Sequence, residues 1–313
     1  MAKTLRFSGK ICTLACLVLF LALSFLAFPA LAGGYVQTNL VSDGFVPAKF
    51  TDPNLVNPWG ISYAPTGPFW VSNNGTGTST LYNGAGTPQG LVVIIPPPTG
   101  GTGPATPTVQ VFNGTSAFNG YLFIFATEDG TISGWKGGTT ATLLVDNSAA
   151  GAVYKGLALG NNGAGNFLYV ANFHRGAIDV FNSNFSPVVL PGSFSDPNLP
   201  SGYAPFNVQN LGGSLYVTYA LQDATKHDDV PGPGNGYVNV FDLNGNLQRR
   251  LISQGPLNSP WGLALAPAKF GTFSNALLVA NFGDGRINAF APLTGNLLGT
   301  FKRYFHLSKI LSL

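Results

Sequence analysis

The chain is short of the side chains that most catalytic and metal chemistry draws on. It has two cysteines, three histidines and only 9% charged residues, and Glu128 is its one glutamate. Both cysteines, Cys12 and Cys16, fall in an apolar leader. The polypeptide beyond that leader therefore has no thiol, no disulfide, no zinc–thiolate site and no cysteine nucleophile. There is no Ser-His-Asp order of the known triad families and no HExxH pair, so acid–base chemistry has few groups available. Scarce charge beside 41 glycines and 23 prolines disfavours long soluble helices. It favours short strands joined by turns.

Residues 1–32 read as a secretory signal peptide. Lys3, Arg6 and Lys10 form a basic start, residues 11–28 are almost wholly apolar, and Ala30-Leu31-Ala32 supplies a small-x-small cleavage site. The competing reading is an uncleaved anchor, because the apolar stretch approaches the roughly 18–20 residues that span a bilayer. Cleavage predicts a secreted or periplasmic bacterial protein with no membrane span. It also removes three of the 15 basic residues, leaving 12 against 12 acidic ones, so the sequence pI of 8.8 owes part of its value to the leader. No basic stripe survives to grip phosphates, which argues against nucleic-acid binding. The 281 residues left from 313 can bury a large core without staples, and a monomer is expected.

A six-residue interval then returns along the chain. Val71 to Gly77, Ile124 to Gly130, Val170 to Gly176 and Val279 to Gly285 each separate the heart of an apolar run from a glycine. A second β-like run comes after it every time, and three copies carry an asparagine: Asn73, Asn172 and Asn281. Strand-like units repeating at roughly 40–60 residues predict an all-β fold, a β-propeller of four-stranded antiparallel blades. Five blades are recognisable over residues 33–300, and a sixth is missing or incomplete. The inner strand of the second blade is expected from residues 109–113 if it is not curtailed. The third blade takes SPVVL, 186–190, as its fourth strand. Residues 35–43 could serve as a terminal strand that hides an edge. Residues 301–313 form an aberrant tail without glycine or strand alternation.

The unit at 259–290, opening Ser259-Pro260-Trp261-Gly262, resembles an NHL-type propeller repeat, as do residues 57–65 and 170–181. Residues 35–298 as a whole resemble a family of secreted bacterial NHL-like propellers of unassigned activity. The runs YVQTNLVSDG, NPWGISY, ATEDGTISGW, LYVANF and SPWGLALAP carry that likeness, with the long segment from Tyr216 to Asp242. The resemblance implies the fold and export, and it brings no catalytic residues. Family members continue into a further blade with another Trp-Gly start, whereas this chain diverts near residue 300.

Propeller geometry places the loop into each inner strand and the turn between strands two and three on one face. That rim gathers Asn57, Trp59, Asn73, Asn172, His174, Asn207, Trp261, Asn281 and Asp284 as ligand-binding candidates. The bland alternatives are asparagines that satisfy their own turns and tryptophans packed beneath their blades. Blade four breaks the interval, since Val217 to Gly236 is 19 residues and inserts 13. Long loops on rigid scaffolds commonly carry function, and Asp223, Asp228 and Asp229 could offer oxygen ligands to Ca²⁺; no other cofactor is expected. The preferred expectation is a non-catalytic module binding a peptide, carbohydrate or protein. A metal-assisted hydrolase or lyase, resembling lactonase or esterase propellers, is the alternative.

Overall fold

A computed structural model describes residues 35–301. The leader, and the tail after Phe301, lie outside the described residues. Five antiparallel sheets succeed one another along the chain. Blade I comprises Pro58–Tyr63, Phe69–Asn73, Thr78–Tyr82 and Pro88–Ile94; blade II comprises Pro107–Phe112, Phe123–Thr127, Thr131–Trp135 and Thr142–Asp146. Blade III has Tyr154–Asn161, Asn166–Asn172 and Ala177–Asn182. Blade IV runs Tyr203–Leu211, Ser214–Leu221, Tyr237–Phe241 and Leu247–Ser253, and blade V runs Pro260–Leu265, Leu277–Asn281, Ile287–Phe290 and Leu297–Thr300. The molecule is a five-bladed β-propeller.

The repeated interval has a backbone cause. Gly77, Gly130, Gly176 and Gly285 sit at φ of +68°, +79°, +70° and +66°, the left-handed region that a side chain resists. Each closes the turn between second and third strands. In blades I, III and V the glycine N–H reaches back to the carbonyl of Asn73, Asn172 or Asn281 at 3.0 Å.

Blades pack face to face, so their middle strands are buried on both sides and read as continuous apolar runs. Alternation decides which neighbour each residue meets. Along the second strand of blade IV, Leu215, Val217 and Tyr219 join the cluster shared with blade III, while Tyr216 joins the one shared with blade V. Trp70, Leu81 and Val93 of blade I meet Phe123 and Phe125 of blade II in the same manner.

The inner strands approach closely enough to require glycine. A Cβ on Gly60 would lie 2.7 Å from the Cα of Val109, and one on Gly156 would lie 2.6 Å from the Cα of Asn207. Backbone cannot yield there as a side-chain tip can. Gly156→Ala is therefore expected to cost about 1–3 kcal/mol through overpacking. A denaturant midpoint equal to wild type would contradict the close approach.

Two sequence expectations are corrected. Residues 186–190 do not form a fourth strand in blade III: the segment keeps a bridge between Phe181 and Pro187, with bonds from Asn182 N–H to the Ser186 carbonyl and from Val188 N–H to the Val180 carbonyl. Residues 35–43 do not complete a blade either. Val41–Ser42 pairs in parallel with Phe50–Thr51 alone. The N-terminal segment instead acts as a strap across the junction of blades V and I. Tyr35 packs among Phe270, Phe273 and Phe301, donating its hydroxyl hydrogen to the Phe270 carbonyl at 2.6 Å. Farther along, Asp52 accepts a bond from the Tyr82 hydroxyl of blade I at 2.8 Å. The second blade's inner strand is present at full length, starting at Pro107.

Candidate functional site

All five inner strands slip register against their second strands at the same place, near the start. A bulge re-aims the side chain it displaces. The displaced residues are Trp59, Thr108, Lys155, Phe206 and Trp261, and every one is buried. Four of these side chains converge on the axis of the ring. Trp59 and Trp261 meet edge to face at 5.6 Å between centroids. Phe282 bridges Trp59 at 4.8 Å and Phe206 at 5.8 Å. Thr108 instead donates its hydroxyl hydrogen to the Tyr154 carbonyl across the seam at 2.8 Å.

Lys155 is the unusual member, a lysine only 1% exposed. Burial of an unpaired ammonium is prohibitive, so it has to be neutralised and hydrogen-bonded. Its Nζ donates to the Glu128 carboxylate and lies 3.3 Å from Asp228 Oδ1. It also sits 5.3 Å from the Trp59 ring centroid and 5.9 Å from that of Phe173, a cation over two aromatic faces. Asn74 donates to the second oxygen of Glu128 at 2.6 Å. Trp261 Nε1 donates to the Lys155 carbonyl at 2.9 Å, and Asn207 Nδ2 donates to the Trp261 carbonyl at 2.8 Å. Every blade contributes to this hub.

The 13-residue insert of blade IV is fastened over it. Gln222 Nε2 donates to the Phe173 carbonyl, and the Gly232 N–H donates to Asn258 Oδ1 at 2.7 Å. Asp228 holds Lys155 and stands 3.0 Å from His227 Nδ1. Partial burial alone would raise the Asp228 pKa, but His227 and the Lys155 ammonium outweigh it and hold the carboxyl below its usual range.

The other residues named from sequence fall into several settings. Asn57 is exposed at the start of blade I and donates to Asn74 Oδ1 at 3.1 Å. Asn73, Asn172 and Asn281 are buried and bound within or beside their own turns: to Thr80, to Asp179, and to the Pro256 carbonyl and Asp284. Trp59 and Trp261 are each 4% exposed, facing one another in the hub rather than solvent. His174 is half-buried on the rim.

The three aspartates proposed for Ca²⁺ have separate partners. Asp223 caps its own loop, accepting from Thr225 Oγ1 at 2.6 Å and the His227 N–H at 2.9 Å. Asp228 holds Lys155, and burial pushes the Asp229 carboxyl up. Among the described residues a different trio, Glu128, His227 and Asp228, brings its ligand atoms within 4.8 Å of one another. The Lys155 ammonium is bonded to both carboxylates of that trio.

Lys155 was not among the sequence candidates, yet a signal was present. Pro58-Trp59-Gly60 and Pro260-Trp261-Gly262 align with Tyr154-Lys155-Gly156, so a lysine stands where two other blades carry tryptophan.

No family model matches the chain. It is 35% identical over 269 residues to an uncharacterised protein of Acanthamoeba polyphaga mimivirus, spanning 80% of this chain and 70% of that one. A second uncharacterised protein of the same virus is 36% identical over 268 residues, spanning 80% of this chain and 65% of the relative, just under two thirds of its length. The chain belongs to the family of these viral proteins. The resemblance read from sequence pointed to bacterial ones.

In fold the chain is similar to virginiamycin B lyase from Staphylococcus aureus, with a TM-score of 0.52 and 13% identity over 80% of this chain and 71% of that one. It is equally similar to a chain of a nidogen/laminin complex, with a TM-score of 0.53 and 14% identity over 80% and 81%. At such identity these likenesses establish the propeller alone. No helix among the described residues is long and apolar enough to cross a membrane.

Proposed function

We propose that the protein is an exported, non-catalytic binding propeller whose recognition face carries the blade IV insert. One observation supports this above the rest: the insert is tied down at Gln222, Asp228 and Gly232, while its tip, Ala224 to Lys226, is exposed. A loop fixed at its base and open at its tip suits recognition on a rigid scaffold. The hub beneath is closed by aromatic rings, and its ionic groups already hold one another. Export rests on the basic and apolar character of residues 1–32. A peptide, carbohydrate or protein would be engaged at this rim.

The trio of Glu128, His227 and Asp228 favours a second reading, a metal-assisted hydrolase or lyase. That reading requires a divalent cation to displace the Lys155 ammonium from two carboxylates. Peptide and glycan arrays probed with the purified protein separate the two. Capture that Ala224→Arg abolishes without lowering the melting temperature is expected. Turnover of a lactone, ester or glycoside that depends on added divalent metal would overturn the proposal in favour of the enzyme.

A further inference from the structure

Beside the insert, on the same face, lies a cavity of about 260 Å³ between the connection from blade II to blade III and the second turn of blade III. Its walls include Asn147, Ala150, Ala152, His174, Arg175 and Asp179. Drug-sized ligands occupy roughly 300–1,000 Å³, so this space suits a single ring rather than an extended chain.

The charges of the cavity are already matched. Arg175 pairs with Asp179, whose other oxygen accepts from Asn172 Nδ2 at 2.9 Å. A ligand entering here meets no net charge, which disfavours an anion or a cation. Several polar atoms nevertheless make no hydrogen bond among the described residues: Asn147 Oδ1, both ring nitrogens of His174, and the Nε of Arg175. Asn147 itself is held in place, because its Nδ2 donates to the Tyr154 hydroxyl at 2.7 Å. Gly151, at φ +69°, keeps the imidazole edge uncovered; a Cβ there would stand 3.8 Å from Nε2.

The unpartnered set thus mixes an acceptor, a donor and an imidazole that supplies either role. An ionised carboxylate, which only accepts, cannot satisfy it. Hydroxyl groups both donate and accept, and Ala150 and Ala152 offer small apolar patches for the C–H face of a ring.

Resting on the binding-module reading above, we infer that this cavity is a subsite for one neutral pyranose unit, free or at the end of a glycan. His174 and Asn147 would hydrogen-bond its hydroxyls, with Arg175 as a further donor. Saturation-transfer NMR with the methyl glycosides of glucose, galactose, mannose and N-acetylglucosamine tests it, with sodium acetate as the anionic control. At least one glycoside is expected to bind at millimolar concentration, undisturbed by acetate. His174→Ala and Asn147→Ala should each weaken it about tenfold, equivalent to about 1.4 kcal/mol. The melting temperature should hold in His174→Ala and fall in Asn147→Ala, which loses the bond to the buried Tyr154 hydroxyl; His174→Gln replaces His174→Ala if the latter fails to fold. The inference is overturned if no glycoside binds, if acetate competes, or if folded variants at both positions bind as wild type does. Capture on peptide arrays that still depends on the insert tip would then leave the binding module standing without a sugar subsite. Metal-dependent turnover would instead remove the binding-module reading itself.

Discussion

Lys155→Met is expected to lower the stability of the folded protein by about 3–5 kcal/mol, the usual cost of removing one partner from a buried ion pair. Methionine keeps most of the lysine volume, so contacts with Trp59 and Phe173 persist and lost charge dominates. Glu128, whose side chain is 11% exposed, would then be held beside Asp228 without the cation that separates them. Asn74 still donates to one oxygen, so one of the two Glu128 carboxylate oxygens is stranded.

The same variant has a second readout. Glu128, His227 and Asp228 already converge, and removing the ammonium opens their shared centre to a divalent metal. A metal at 100 times its dissociation constant returns about 2.7 kcal/mol. Added Zn²⁺ is therefore expected to raise the melting temperature of Lys155→Met and to leave wild type unmoved. Equal urea midpoints for variant and wild type would refute the account of Lys155 as the resident cation.

Asp196→Asn should have an effect of similar size, again about 3–5 kcal/mol at neutral pH. Asp196 lies in the connection between blades III and IV, with its side chain 2% exposed. It accepts from Arg250 Nε at 2.7 Å, Asn239 Nδ2 at 3.0 Å and the Asn198 N–H at 3.0 Å. Burial alone would raise its pKa, but those donors and the guanidinium charge overcome it and hold the carboxyl below its ordinary value. A depressed folded pKa means that the unfolded chain binds the proton first. The stabilisation is then fully present above the unfolded value of about 3.9 and is lost as pH falls through the folded one. Urea midpoints measured from pH 7 down to pH 2.5 should fall with acid for wild type. The slope should be shallower in the variant, which has no proton to take up at this position. Parallel curves would show that Asp196 is not linked to folding in this way.

The parts of the fold legible in the sequence were those written in backbone chemistry. Left-handed glycines at a fixed distance from an apolar run announced the turn between second and third strands, and alternation announced the faces of the blades. What misled was a stretch of good strand formers, Val188 to Leu190, in blade III. Flanking prolines at 187 and 191 limit its pairing, and the chain leaves for the blade IV turn. There the Gly192 N–H binds the Asn244 carbonyl at 2.8 Å and the Phe194 N–H binds the Gly245 carbonyl at 3.0 Å. Tertiary anchoring overrode local propensity.

The hub was legible only in part. Its tryptophans stood out from their Pro-Trp-Gly starts, although composition could not distinguish an inward ring from one open to ligand. A lysine in a charge-poor chain is ordinarily solvated, and the burial of this one is set by Glu128 and Asp228, which are 27 and 73 residues away along the chain. Aligning inner strands by their glycines, rather than by hydrophobicity, brings Lys155 onto the tryptophan position.

The axial cluster also bears on how the polypeptide acquires its shape. In a linear solenoid each repeat leans on its neighbours, so a partial array is already a stable object. Here the central ammonium is matched only when loops from the second and fourth blades arrive together, and its carbonyl is bonded only when the fifth has docked. An incomplete set of blades would carry a charge it cannot neutralise, as an arch stands only after its keystone is seated. The buried lysine thereby couples the repeats into one cooperative unit.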